Sequence, residues 1–151
     1  MSEGPKGWDA KFIEMAELVS TWSKDPSTKV GAVLVGDNHN VLAVGYNGFP
    51  RGVYDFQPER YEKPLKYHLT AHAEINAVCN AARVGTRTEG ATLYLNWEPY
   101  PCPECTKVVI QAGIYEIVGP NRKFPGTKWQ ELFEHSKLMI EESGINIRVV
   151  A

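Results

Sequence analysis

Two short motifs, about thirty residues apart, constrain this chain more than any other feature of its sequence. The first runs from His72 to Glu74, and the second from Pro101 to Cys105. One imidazole and two thiolates, from His72, Cys102 and Cys105, are the kind of ligands that a tetrahedral Zn²⁺ ion takes in proteins. Because only three protein ligands are supplied, we expect the fourth position to stay open for water, which is typical of a catalytic zinc site.

The spacing of both motifs predicts that each lies at the start of an α-helix. On the flank of a helix with about 3.6 residues per turn, His72 and Glu74 would point about 200° apart. In a first turn both side chains lean toward the N-terminus and can reach a metal beyond the helix end. Cys102 and Cys105 share one helical face, and Pro103 suits a first turn. The two helix N-termini would then help to keep both thiols ionised.

Glu74 is the proton carrier that such a metal site needs. Zinc bound by two thiolates and a neutral imidazole remains a Lewis acid and lowers the pKa of its water ligand to about 7. A neighbouring carboxylate can accept that proton and deliver it to a ring nitrogen and then to a leaving amine. The pattern H-x-E followed by P-C-x-x-C is the known signature of zinc nucleobase deaminases. We therefore predict a hydrolytic deaminase with Glu74 as its general acid–base.

A structural zinc site and a redox-active cysteine pair are the two alternatives to this interpretation. A structural site would normally have four protein ligands. The remaining cysteine, Cys79, lies inside an apolar helical segment, where we expect a small buried thiol. A redox pair would leave the His-x-Glu motif without a role, so the catalytic interpretation is favoured.

The composition excludes several classes of protein. At 151 residues, with 43% hydrophobic and 23% charged residues, the chain is expected to form one domain covering 1–151. A net charge of −2 provides no general attraction to nucleic acid or to an anionic membrane, so neither is a predicted partner. No segment is as long and apolar as a membrane-spanning helix, which needs about 20 apolar residues, and no signal peptide is recognisable. With three cysteines, two of them assigned to metal, a reducing cytoplasm is favoured.

Hydrophobic periodicity predicts an α/β sandwich with a mixed sheet, in the order αββαβαβαβ. Amphipathic helices are predicted at 8–23 and 127–143, and each zinc motif opens a further helix that meets the strand ends. The region 53–70 is predicted to be a long, polar and aromatic loop of the kind that is often functional, and His68 within it is predicted not to bind metal. The predicted strands are 30–35, 41–46, 91–96, 115–118 and 145–150.

The segment from Asn47 to Gly52 contains two glycines and a proline and predicts a fixed loop. One interpretation is that it only connects its neighbours. The other is that its glycine-rich turn, with Asn47 and Arg51 beside it, holds a sugar hydroxyl or a phosphate. The sequence leaves both open.

With these elements placed, the chain resembles the deoxycytidylate (dCMP) deaminases of the cytidine deaminase-like superfamily over nearly its whole length. The metal-binding residues match, as do residues 23–26 running into 30–32, residues 45–48, and residues 110–114. The resemblance implies an α/β three-layer fold with a central five-stranded mixed sheet flanked by helices. It implies hydrolysis of dCMP to dUMP, which supplies thymidylate synthesis. It also implies a homo-oligomer, commonly a hexamer, that dCTP activates and dTTP inhibits together with Mg²⁺.

The resemblance further implies which residues contact nucleotides. Asn47 would contact the substrate sugar, Ser23 is also expected to bind substrate, and the backbone around Ala71 and Ala73 would read the pyrimidine edge. For the phosphate, the cations of the loop after the fourth strand are candidates by position. These are Arg122, Lys123 and Lys128. The loop expected near the allosteric nucleotide contains Gly48, Phe49, Arg51 and Asp55.

Two departures from the family pattern carry predictions. Residues 97–101 include extra residues before the first cysteine, so the pocket wall is expected to differ there. Val53 stands where the family often has a cysteine, so a second, structural zinc ion finds no evident ligands.

Other substrates, namely dCTP, free cytosine or cytidine, and tRNA adenosine, are the first alternative to dCMP. Free-cytidine enzymes usually have cysteine where His72 stands, and a tRNA enzyme would need a basic face that the net charge does not favour. The second alternative is an inactive nucleotide-binding regulator, and the intact Glu74 argues against it.

Overall fold

The computed structural model describes residues 7–125 and 128–151, which contain five helices and five strands. Short 3₁₀ turns cover Asp37–His39 and Pro58–Tyr61. The helices are α1 Trp8–Ser20, α2 Leu65–Leu69, α3 Ala73–Val84, α4 Pro103–Gln111 and α5 Lys128–Ser143. The strands are β1 Gly31–Val35, β2 Val41–Tyr46, β3 Thr92–Leu95, β4 Glu116–Pro120 and β5 Asn146–Val150. Residue 127, the first residue of the predicted last helix, lies outside the described residues.

The strands form one mixed sheet in the order β2-β1-β3-β4-β5. Strand β1 runs antiparallel to both β2 and β3, whereas β3, β4 and β5 are mutually parallel. Parallel neighbours need a crossover connection, and α4 and α5 provide the two crossovers. The predicted five-stranded mixed sheet flanked by helices is confirmed.

Alternate residues of β1 point into two separate apolar clusters, so both faces of the sheet are covered. Leu34 packs with Ala77 of α3 and Val109 of α4 on one face. Val33 packs with Phe12 of α1 on the other face. This alternation produces the predicted three layers, with α1 on one side of the sheet and α3 to α5 on the other.

Close contact between α3 and the sheet fixes the position of the first zinc motif. A Cβ atom on Gly45 of β2 would collide with the backbone of Ala77, so only glycine lets α3 lie this near the strand. Ala73, Ala77 and Ala81 repeat every four residues and are fully buried against the sheet. The start of α3 is therefore held rigidly at the end of the sheet.

Three predictions about local structure need correction. Helix α1 ends at Ser20 rather than at residue 23, because the amides of Thr21 and Trp22 close the last turn on the carbonyls of Leu18 and Val19. The region 53–70 is not a plain loop, since it contains a 3₁₀ turn and α2. Cys79 is exposed rather than buried, because it lies on the face of α3 opposite its alanines.

None of the described helices combines the length and apolar character needed to cross a membrane.

Candidate active site

The first zinc motif occupies the N-terminus of α3, as predicted. His72 is the residue just before the helix, with extended backbone, and Glu74 lies in its first turn. The preceding residue, Ala71, exchanges two backbone hydrogen bonds with Gly48, of 2.8 and 3.0 Å. This bridge fixes the direction in which the chain enters the helix.

The second motif occupies the N-terminus of α4. Cys102 precedes the helix, and its sulfur accepts a hydrogen bond from the Cys105 amide at 3.5 Å. Pro103 fills the first helical position, where no amide hydrogen is needed. The carbonyl of Pro101 accepts the buried Ser136 hydroxyl of α5 at 2.6 Å, which ties this helix start to the next helix.

The fold brings the three predicted metal ligands together. The Nδ1 atom of His72 lies 3.3 Å from the sulfur of Cys102 and 3.3 Å from that of Cys105. A tetrahedral zinc site, with Zn–S of about 2.3 Å and Zn–N of about 2.0 Å, places such atoms about 3.5 Å apart. These are the only three residues in the described part of the chain that converge as a metal-ligand group, and His68 is not among them. The donor set and its geometry fit Zn²⁺.

The electrostatics of the site also fit a divalent cation. A hydrogen bond from the Cys105 thiol and the nearby His72 ring lower the pKa of Cys102 to about 4. The pKa of Cys105 is raised, because its thiol proton is shared with Cys102 and the group is buried. The Cys102 sulfur accepts a hydrogen bond from the His72 imidazole and thereby raises the pKa of His72 to about 9. Zinc binding would replace these shared protons with one ion.

Glu74 is only 6% exposed and faces the same site. Burial raises the pKa of its carboxyl above the ordinary value of 4.5, while the neighbouring His72 opposes the shift. A buried carboxyl with a raised pKa is suited to both accepting and donating a proton near neutral pH.

The metal-ligand group opens into a cavity of about 340 Å³, which is within the size range of small-molecule sites. We call the side formed by the first turns of α3 and α4 the metal wall. We call the part contributed by the loop before β1, by 63–70 and by 124–125 the loop wall. The metal wall contributes His72, Ala73, Glu74, Pro101 and Cys102. The loop wall contributes Asp25, Ser27, Thr28, Lys63, Lys66, Tyr67, Thr70, Phe124 and Pro125, and Val30, Asn47 and Phe133 complete the lining.

A buried ion pair holds the loop wall together. The ammonium of Lys66 lies 3.2 Å from the Asp25 carboxylate, with both side chains less than a tenth exposed. The same carboxylate oxygen accepts the amides of Ser27 and Thr28 at 2.8 and 3.1 Å. Since breaking a buried pair leaves an uncompensated charge, this contact fixes α2 beside the cavity.

Only some of the residues predicted to contact substrate line the cavity. Asn47 and Ala73 line the cavity, whereas Ser23 lies behind Asn47 and donates its hydroxyl to that residue's carbonyl at 2.7 Å. The Asn47 amide also accepts the Val30 N–H and donates to the Thr28 carbonyl, both at 2.9 Å. Ala71 is used in the bridge to Gly48. Asn47 thus shapes the cavity as well as facing it.

The predicted phosphate cations do not coincide with those that line the cavity. Lys123 is exposed and is absent from the lining, and the side chain of Lys128 lies outside the described residues. Arg122 bonds Glu17 at 3.1 Å instead. Lys63 and Lys66, which no motif marked, are the cations of the described lining.

The loop predicted to lie near an effector is well anchored. Phe49 stacks on Tyr61 with ring centroids 4.7 Å apart. Arg51 bonds the Asn80 side chain of α3 at 2.7 Å, and Asp55 pairs with Lys24 at 2.9 Å.

Comparison with known proteins identifies the family. Residues 6–119 match the family model described as the cytidine and deoxycytidylate deaminase zinc-binding region. The chain belongs to this deaminase family. Within it, the chain is 32% identical to human deoxycytidylate deaminase over 148 residues, covering 93% of this chain and 78% of that protein. It is 38% identical over 141 residues to an uncharacterised deaminase of Aliivibrio fischeri, with coverages of 93% and 91%.

A solved structure agrees with this family assignment. The dCMP deaminase of cyanophage S-TIM5, in complex with dCMP and dUMP, superposes with a TM-score of 0.76 and 25% identity over 99% of both chains. The cytidine deaminase-like fold is thereby confirmed, and the chain is a zinc-dependent hydrolase of the deaminase family with a His/Cys/Cys candidate site.

Proposed function

We propose that this deaminase converts dCMP and water to dUMP and ammonia. The carrying observation is one cavity whose lining combines a zinc-ligand group, a buried carboxyl and lysine cations. A pyrimidine monophosphate has both a reactive amidine carbon and a phosphate, so it requires both kinds of group in one cavity. The cyanophage relative with dCMP and dUMP bound supports this choice.

The chemistry divides between the metal and Glu74. Zinc held by His72, Cys102 and Cys105 would supply Lewis-acid activation of water at its open position. Glu74 takes a proton as the water attacks C4 of the pyrimidine and passes it to the ring nitrogen N3. It then takes the remaining proton from the hydroxyl added at C4 and gives it to the amino group, so that the C4=O bond forms as the C4–N bond breaks and ammonia leaves. Burial of Glu74 keeps bulk water from competing for these protons.

The other cavity residues bind and orient the nucleotide. We propose that Asn47, supported from behind by Ser23, contacts the sugar, and that the backbone at Ala71 and Ala73 reads the edge of the pyrimidine. Lys63 is the phosphate contact that the lining supports, because a cation is the expected partner of a phosphate and the charge of Lys66 is already paired with Asp25. Lys123 and Lys128 remain predictions from the sequence.

Regulation by dCTP and dTTP with Mg²⁺ is a further part of the proposal. The effector loop would include Gly48, Phe49, Arg51 and Asp55. The bridge between Gly48 and Ala71 leads directly into the first zinc ligand, which supports coupling between such an effector site and the cavity. We also propose that the enzyme is a cytoplasmic homo-oligomer, a hexamer, that supplies dUMP for thymidylate synthesis.

A substrate panel tests the reaction. The zinc-loaded protein is incubated with dCMP, dCTP, deoxycytidine, cytosine and adenosine, and deamination is followed by absorbance and by ammonia release. We expect dCMP to give the highest kcat/KM. A preference for dCTP, a free nucleoside or adenosine would overturn the substrate assignment. Loss of all activity despite full zinc occupancy would favour the inactive regulator.

A further inference from the structure

Residues 97–101, which depart from the family pattern, are interlocked with the loop that follows β4. The amide of Glu98 donates to the Arg122 carbonyl at 2.9 Å. Its carboxylate accepts the Phe124 amide at 3.2 Å. Glu98 therefore forms hydrogen bonds with residues 122 and 124 of the neighbouring loop, and these bonds fix the backbone on both sides of residue 123.

A stack of three side chains reinforces this connection. The Arg122 guanidinium lies 3.7 Å from the centre of the Trp97 ring, and the Phe124 ring lies on Trp97 at 4.7 Å with only 12° between the ring planes. The indole N–H donates to the Lys29 carbonyl at 2.9 Å, which anchors the stack next to β1. Both contact types are stabilising, so the Phe124 ring has little freedom to rotate.

Phe124 is the member of this assembly that reaches the cavity. It lines the cavity together with Phe133, with the two rings 6.1 Å apart. Trp97 and Glu98 are not among the described residues of the lining. Since Glu98 lies outside the described lining, its carboxylate is not placed to carry a proton at the reacting carbon. Phe124 therefore connects Trp97 and Glu98 to the cavity.

We propose that Glu98 and Trp97 are positioning residues that hold Phe124 against the base of the bound nucleotide. The inference rests on the proposed function, because it requires a planar pyrimidine in the cavity. An aromatic ring that is already fixed gives up less conformational entropy on binding, so the same contact contributes more to affinity. The extra residues before Cys102 then have a role, since they supply both Trp97 and Glu98.

Paired substitutions separate positioning from general stability. Glu98→Ala removes the acceptor for the Phe124 amide, whereas Glu98→Gln keeps an oxygen in the same place. We expect Glu98→Ala to raise KM for dCMP about fivefold, as for one lost hydrogen bond, with kcat and zinc content nearly unchanged. Glu98→Gln should stay within about twofold of the wild type. Trp97→Ala should raise KM about tenfold, the scale of one base–aromatic contact, and Trp97→Phe should restore most of it.

Three results would overturn the proposal. The first is equal KM values for Glu98→Ala and Glu98→Gln. The second is a KM unchanged in all four variants, and the third is a loss of zinc that accounts for the lower activity.

Crystal structures of wild type and Glu98→Ala test the positioning independently of the substrate. Displacement of the Phe124 ring in the variant supports it, and an unmoved ring refutes it. If the wild type is inactive on dCMP but the Phe124 ring is displaced in Glu98→Ala, the proposed function is wrong and the positioning role still holds.

Discussion

The metal wall of the cavity consists of the first turns of two helices, whereas the loop wall consists of segments from three separate parts of the chain. On the metal wall, the functional residues of each motif lie two or three positions apart, and the helix start sets their direction. On the loop wall, Asp25 and Lys66 are 41 residues apart and meet only in the folded protein. The same cavity is thus built by local geometry on one side and by tertiary contacts on the other.

This difference separates chemistry from recognition. The metal wall carries the groups that activate water and move protons, and changes there should remove catalysis. The loop wall carries cations and aromatic rings, and changes there should alter affinity and substrate preference while leaving the chemical step in place. Each substitution below tests that division.

Cys105→Ala should have the largest effect. Two ligands cannot hold zinc as three do, so we expect loss of both bound zinc and all measurable deamination. Zinc content by mass spectrometry and ammonia release measure the two effects. The matched control is Cys79→Ala, because Cys79 is an exposed thiol on α3 away from the metal-ligand group. Zinc retained by Cys105→Ala, or lost from Cys79→Ala, would disprove the assigned ligand set.

Glu74→Gln should be the next largest. The amide keeps the shape of the side chain but cannot carry a proton, so kcat should fall by about 10²–10⁴-fold with zinc and dUMP binding retained. Glu104→Gln is the control, since that carboxylate is exposed and paired with Lys107 at 2.9 Å. Near wild-type turnover by Glu74→Gln would show that the proton carrier is elsewhere.

Lys63→Ala tests the loop wall. Removing a cation from the phosphate end should raise KM for dCMP about three- to tenfold and leave KM for deoxycytidine unchanged. Lys11→Ala removes the same charge near Trp8, outside the lining, and serves as the control. Equal effects of Lys63→Ala on both substrates would count against a phosphate role. A dCMP-specific effect of Lys123→Ala in its place would restore the assignment made from sequence.

The sequence predicted the metal wall because its information is local. The spacing of His72 and Glu74, and of Cys102 and Cys105, has a direct geometric meaning at a helix start, and the structure places all four there. Gly113 and Gly144, which follow α4 and α5, both adopt the positive φ that favours glycine at a helix end. Strand β2 was predicted with its observed bounds because its apolar residues are contiguous.

The remainder required contacts that periodicity cannot reveal. Helix α2 is only five residues long, and the contact of Lys66 with Asp25 stabilises it more than any pattern within 65–69 does. Cys79 was misassigned because the surrounding segment was treated as uniformly buried, although alanines four residues apart already form its buried face. The hydrogen bond from the Phe124 amide to Glu98 joins residues 26 apart in the sequence. The departure of 97–101 from the family pattern could therefore be recognised in the sequence, but its contact with Phe124 could not.

Asp9→Asn should have the smallest effect and shows whether KM changes are specific to the two walls. Asp9 lies outside the lining of the cavity. It accepts hydrogen bonds from Arg148 at 2.7 and 3.0 Å and from the Tyr94 hydroxyl at 2.7 Å.

The Arg148 hydrogen bond lowers the pKa of the Asp9 carboxyl below its ordinary value of 3.8. A carboxyl with a lowered pKa in the folded protein stabilises the fold at pH values above its ordinary pKa. This contribution is lost as the pH falls through the lowered pKa. Urea unfolding should therefore show Asp9→Asn to be about 1 kcal/mol less stable than wild type near pH 7, with the difference shrinking below about pH 4. KM for dCMP should not change, and a change comparable to that of Lys63→Ala would mean that general destabilisation, rather than contact with the nucleotide, explains the loop-wall effects.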